Sequence, residues 1–261
     1  MSLEISSVQN ERVKRILRLV RKAATRREEG LTVIEGAREV ARAMENGWQP
    51  VELWLCQDLA DPHFLADRAP CERICCSRAV FEKMAYREGT DGVLAVGPLV
   101  GKTLQQLTLP ANPLLLIAEG VEKPGNLGAL LRTADGAGAD AVIVCDSATD
   151  LNNPNVIRAS IGTLFYLPVA EATTQQAVEF LNARGIRMLA ATPEASTVYS
   201  ETDLTGPLAV VVGAEDTGLS EAWKTQAGLK VRIPMLGKND SLNVSVSAAV
   251  LLYEAVRQRN S

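Results

Sequence analysis

The chain has 261 residues, 47% of them hydrophobic, with a formal net charge of −4 and a pI near 5.3, enough apolar material for one large or two modest packed domains. No stretch approaches the roughly 18 uninterrupted apolar residues of a membrane helix, and the start, Met1-Ser2-Leu3-Glu4-Ile5, lacks a basic segment followed by an apolar run, so a soluble, unexported protein without a membrane partner is expected. The acidic balance excludes a chain that coats nucleic acid indiscriminately, while leaving room for a local basic face.

The first predicted element is such a face. Arg12, Lys14, Arg15, Arg18, Arg21, Lys22, Arg26 and Arg27 surround Val13, Ile16, Leu17 and Val20, which recur at helical spacing. This predicts a helix with a basic outer surface, either simply solvated or tracking phosphates. Strands are predicted over 31–35, 51–56 and 93–96, with helices over 37–46, ended at Gly47, and over 77–86. The five cysteines, at 56, 71, 75, 76 and 145, lack the spacing of a disulfide framework. Cys71, Cys75 and Cys76 invite a metal reading, but no second pair follows and His63 stands apart, so incidental thiols, no metal and a reducing cytoplasm are expected. Glycines and prolines between Gly97 and Pro113 put the boundary there, with domains 1–105 and 106–261.

The second half alternates strand and helix for most of its length. Strands are predicted over 114–118, 141–145, 165–169, 186–191, 208–212 and 229–233, with helices between most of them and a last helix whose apolar positions are Val244, Ala248, Leu251 and Ala255. This is an α/β pattern: a mainly parallel sheet with helices on both faces, preceded by a smaller α/β domain.

Three joints in this half carry more polar residues than a connection needs. After the first strand comes Glu119-Gly120-Val121-Glu122-Lys123-Pro124-Gly125-Asn126-Leu127-Gly128-Ala129-Leu130-Leu131-Arg132, in which Asn126 is a candidate helix cap and Arg132 is either a functional cation or an exposed partner of Asp135. Gly213-Ala214-Glu215-Asp216-Thr217-Gly218-Leu219-Ser220 follows a buried strand, and Glu215 reads equally as a site residue or a first-turn acid. In Ile233-Pro234-Met235-Leu236-Gly237-Lys238-Asn239-Asp240-Ser241-Leu242-Asn243-Val244-Ser245, Pro234 cuts the strand and Asp240 or Ser241 can cap the last helix. Gly136-Ala137-Gly138 follows a helix, so it reads as a helix end, not a dinucleotide fingerprint.

In this order, and with Asn155-Val156-Ile157-Arg158-Ala159-Ser160-Ile161-Gly162 between the first two, the joints resemble the motifs of the SpoU (TrmH-type) RNA ribose 2′-O-methyltransferases over residues 114–259. The first hundred residues resemble the L30e-like substrate-binding domain of many such enzymes, through Asn10-Glu11-Arg12-Val13-Lys14, Val33-Ile34-Glu35-Gly36-Ala37-Arg38-Glu39-Val40 and Asp91-Gly92-Val93-Leu94-Ala95-Val96. Thr90-Asp91 stands where members often have Pro-Gln. The resemblance implies a C-terminal trefoil knot, a homodimer, S-adenosylmethionine as cofactor and ribosomal RNA, most expectedly 23S, as partner. It implies catalytic roles for Arg132, Asn126, Glu215, Ser241, Asn243 and Ser245, and cofactor contacts from Thr192, Gly213, Ile233, Met235 and Leu242. Arg12, Lys14, Arg15 and Arg158 are the expected RNA contacts. Arg132 is either a base or, since arginine normally stays protonated, a cation beside the target ribose. Methylation that protects the ribosome from an antibiotic and a non-catalytic assembly factor are the alternative functions.

Overall fold

The computed structural model describes residues 3–61, 64, 71–86 and 89–261. It divides into two compact units: Met1–Val100 with Asp150–Tyr166, and Gly101–Thr149 with Leu167–Ser261. His63 lies outside the described residues.

In chain order the first unit contains β1 (Leu3–Ile5), α1 (Glu11–Arg21), α2 (Ala23–Glu29), β2 (Leu31–Glu35), α3 (Ala37–Glu45), β3 (Glu52–Cys56), β4 (Glu72–Cys76), α4 (Arg78–Met84) and β5 (Val93–Pro98). The second unit opens with β6 (Leu114–Glu119), α5 (Pro124–Gly136) and β7 (Ala141–Cys145), after which α6 (Pro154–Ala159) belongs to the first unit. The second then continues through β8 (Val169–Ala172), α7 (Thr174–Ala183), β9 (Arg187–Ala191), β10 (Leu208–Val212), α8 (Glu221–Gln226), β11 (Leu229–Val231) and α9 (Val244–Arg259).

The first unit is a five-stranded mixed sheet in the order β1-β4-β3-β5-β2. Val33, Trp54, Ile74, Leu94 and Val96 on one face pack with Val13, Ile16 and Leu19 of α1 and Val80, Phe81 and Met84 of α4. Their strand neighbours Ile34, Leu53 and Ala95 are also buried, and α3 and α6 pack on that side. β1 and β4 have no counterpart in the sequence reading, and β4 takes Cys75 and Cys76 into the sheet. Cys76 sits in register with Cys56, and burial pushes its thiol up to about 12, so it is inert at neutral pH.

The basic run is two helices, not one. Lys22 is extended (φ −121°, ψ 114°) between α1 and α2. The break lets Arg26 turn inward: its guanidinium donates to the Leu19 carbonyl at 2.5 Å and the Val20 carbonyl at 3.2 Å, and pairs with Asp150, with the Nε bond at 2.7 Å. Arg26 is thus a buried cap on the end of α1, contrary to its expected place on an outer surface, and it satisfies carbonyls the helix itself cannot. Asp150 begins the segment that Thr32, Arg42 and Trp48 also hold. The Thr32 hydroxyl donates to the Asn152 carbonyl at 2.8 Å, Arg42 donates to the Ile161 carbonyl at 2.5 Å, and Trp48 meets Phe165 at 5.9 Å between ring centres.

The second unit is a six-stranded, wholly parallel sheet in the order β11-β9-β10-β6-β7-β8. α7 and α8 bury Val178, Phe180, Leu181 and Trp223 against one face, while α5 and α9 pack together on the other. Three boundaries differ from expectation. Residues 163–165 form a single 3-10 turn, and β8 begins only at Val169. α5 starts at Pro124, whose missing N–H costs nothing in a first turn, so Asn126 lies inside the helix and not at its cap. The cap of α9 is Asn243, which accepts from Ser245 N–H at 3.0 Å; Asp240 and Ser241 lie in the loop before it.

Candidate active site

β6, β9, β10 and β11 are parallel neighbours, so the loops that follow them leave the same end of the second sheet. That carboxyl end is where open α/β sheets hold ligands. Here the loops line a cleft of about 890 Å³, inside the size range of small-molecule sites.

Each wall has a local cause. After β10 the chain folds back on itself: Ala214 N–H donates to the Gly218 carbonyl at 3.2 Å, and Gly218 N–H to the Ala214 carbonyl at 3.0 Å. A Cβ at Gly213 would collide with the backbone of Gly218 and Leu219. Gly213 therefore permits close approach, but the approaching backbone belongs to its own loop. Behind this loop the buried carboxylate of Glu119 accepts from the Thr174 hydroxyl at 3.0 Å and from Ser220 N–H at 2.8 Å, fastening the starts of α7 and α8 to the end of β6.

Across the cleft runs a line of side-chain hydrogen bonds. The Ser245 hydroxyl donates to Asn243 Oδ1 at 2.7 Å, Asn243 Nδ2 donates to Asn126 Oδ1 at 3.2 Å, and Asn126 Nδ2 donates to Glu215 Oε1. Residues as far apart as 126 and 243 are joined, and every donor points toward one carboxylate. Such a line holds its members in fixed orientations.

Asn126, Glu215, Ser241 and Asn243 line the cleft, as do Thr192, Gly213, Ile233, Met235 and Leu242. Ser245 supports Asn243 from the first turn of α9. Arg132 is the exception: it is exposed on α5, outside the lining, and its side chain makes no hydrogen bond or ion pair among the described residues. The cleft also exposes Lys123, Glu194, Asp216 and Lys224, which the sequence reading did not single out. Glu194 follows the end of β9, a position that marks it once the strand order is known. The Thr192 hydroxyl and a backbone amide hold its carboxyl below the usual range.

In the first unit Arg12 pairs with Glu72 at 2.8 Å, Lys14 with Glu11 at 2.8 Å, and Arg15 with both Glu29 and Glu52 at 2.7 Å. Arg158 donates to Asn155 Oδ1 at 2.8 Å and lies over the ring of Tyr86, 5.5 Å from its centre. Among the described residues there is no cluster of three or more His, Cys, Asp or Glu able to hold a metal, and no helix long and apolar enough to cross a membrane.

Fold and cleft together define an α/β protein with an open cleft at the carboxyl end of a parallel sheet, joined to a second α/β module. Residues 113–253 match the SpoU rRNA methylase family, and residues 10–95 match the MRM3-like substrate binding domain. The chain belongs to the SpoU rRNA methylase family. It is 36% identical to the 23S rRNA (guanosine-2′-O-)-methyltransferase RlmB of Pseudomonas putida, over 80% of this chain and 88% of that protein. To the 23S rRNA (guanosine(2553)-2′-O)-methyltransferase RlmP of Bacillus subtilis it is 30% identical, over 96% of this chain and 98% of the relative. Among solved structures, the SpoU methyltransferase AviRb of Streptomyces viridochromogenes in complex with AdoMet superposes with a TM-score of 0.91 at 28% identity, covering 97% of this chain and 99% of that one.

Proposed function

We propose that this protein transfers the methyl group of S-adenosylmethionine to a ribose 2′-hydroxyl of 23S ribosomal RNA, in the cytoplasm and as a homodimer. The observation that carries the reading is the line Ser245, Asn243, Asn126, Glu215, drawn from distant segments into one cleft. The similarity to named 23S rRNA 2′-O-methyltransferases supports the same reaction.

The cleft suits the cofactor in size and in character, with apolar Ile233, Met235 and Leu242 beside polar loop backbone. Thr192 and Gly213 complete the set that would hold it. When bound, S-adenosylmethionine supplies an electrophilic sulfonium methyl group. The protein's task is then to orient a poorly acidic hydroxyl and manage its proton. An arginine side chain stays protonated, so Arg132 acts as a cation: it grips the phosphate beside the target ribose and stabilises the developing alkoxide, while the proton leaves to solvent or a phosphate oxygen. Asn126, Glu215, Ser241, Asn243 and Ser245 orient the ribose and keep the loops together.

The exposure of Arg132 away from the cleft, with Val246 and Tyr253 exposed on the adjoining α9, supports a site completed by a second copy of the chain. The return of α9 onto α5 is in keeping with the knotted C-terminus implied by the family. The first unit, with Arg12, Lys14, Arg15 and Arg158, binds the ribosomal RNA.

Incubating the protein with labelled S-adenosylmethionine and 23S rRNA tests the reading. Label is expected in 2′-O-methylated nucleosides; label only on base nitrogens, or none, overturns it. Arg132→Ala is expected to slow turnover about a hundred- to a thousandfold, and full turnover would remove its role.

A further inference from the structure

We infer that Tyr86, backed by Arg158, is a stacking site for an unpaired nucleobase of the RNA. The inference rests on the proposed RNA substrate and adds to it a contact of different chemistry from the phosphate contacts.

Tyr86 is a large aromatic residue left 52% exposed just past the end of α4. Its main chain is fixed: Tyr86 N–H donates to Glu35 Oε2 at 2.6 Å, and Glu35 is itself buried at the end of β2. Its ring is backed on one side by the Arg158 guanidinium, which Asn155 orients through its 2.8 Å bond. The arginine in turn sits on a constrained segment. α6 ends at Ala159, and after the capping Ser160 the β-branched Ile161 adopts φ +55°, a left-handed conformation that such a residue rarely takes. Arg42 holds that turn by donating to the Ile161 carbonyl, and its side chain lies against Gly162.

A ring with a fixed backbone, a cation on one face and solvent beside it has little freedom left to lose on binding. The cation draws on the ring's electron-rich face, and a base can stack on the open one. Unpaired RNA bases are recognised through such aromatic and arginine planes. The alternative, that Tyr86 is held there for stability alone, requires only apolar contact and a fixed backbone, which leucine would also supply.

That difference sets the experiment. Affinity for an in vitro transcript of 23S rRNA is measured across a salt series for the full chain and for Tyr86→Phe, Tyr86→Leu and Tyr86→Ala, with thermal melts to verify folding. Tyr86→Phe is expected to keep wild-type affinity. Tyr86→Leu and Tyr86→Ala are each expected to weaken binding by about tenfold or more, with an unchanged slope of log affinity against log salt, because stacking releases no counterions. In Tyr86→Trp, the added indole is expected to be quenched when the transcript binds. Wild-type affinity in Tyr86→Leu, a reduced salt slope, or emission unmoved by bound RNA overturns the inference. Calorimetry with S-adenosylmethionine and the methyl-transfer assay on the wild-type protein report separately on the proposed function, so either reading can fail without the other.

Discussion

The two units use polar side chains in opposite ways. In the first, several cations are matched by carboxylates of the same unit, from the exposed Arg12–Glu72 pair to the buried Arg26–Asp150 pair. In the second, the polar groups Asn126, Glu215 and Asn243 lie along an open cleft and satisfy one another while remaining within reach of a ligand. Internal pairing steadies a fold, whereas a hydrogen-bonded line at a surface opening keeps side chains aimed before anything binds.

The contrast is broken most severely at Arg26. Arg26→Met leaves Asp150 nearly buried without its partner and uncaps α1, and is expected to cost about 3–5 kcal/mol in chemical denaturation. In the cleft, Gly213→Ala forces the loop at 213–220 open and is expected to cost about 1–3 kcal/mol and lower S-adenosylmethionine affinity at least about tenfold by calorimetry. Arg12→Ala removes an exposed pair of the same charge type as Arg26–Asp150 and should change stability by less than about 1 kcal/mol, which a paired denaturation curve resolves. The smallest effect concerns pH. Arg257 and Gln258 hold the Glu254 carboxyl down at about 2, below its ordinary value of 4.5. Its contribution to stability is therefore complete above about pH 4.5 and lost as pH falls toward 2. Because Arg257 is exposed, the difference between wild type and Glu254→Gln across that window should stay within about 1 kcal/mol.

The parallel sheet was largely legible in the amino-acid order. Strands such as Leu208–Val212, buried on both faces, read as unbroken apolar runs, and the polar joints after them marked the cleft. Less visible were features settled by distant partners. Glu72-Arg73-Ile74-Cys75-Cys76 is too mixed to announce a strand and becomes one between β1 and β3. Arg26 resembles its basic neighbours until Asp150, 124 residues away, draws it inward. Asn126 has the residue type of a cap, yet Pro124 starts the helix earlier and frees the amide for Glu215.

The excursion of Asp150–Tyr166 bears on how this architecture can be cut or exchanged. A truncation starting at Gly101 would retain those residues but strip away Arg26, Thr32, Arg42 and Trp48, leaving Asp150 and the Ile161 carbonyl without their donors and Phe165 without its ring partner. A chimera that grafts another module in front of Gly101 must therefore supply a matching seat for this stretch, or replace it together with the module.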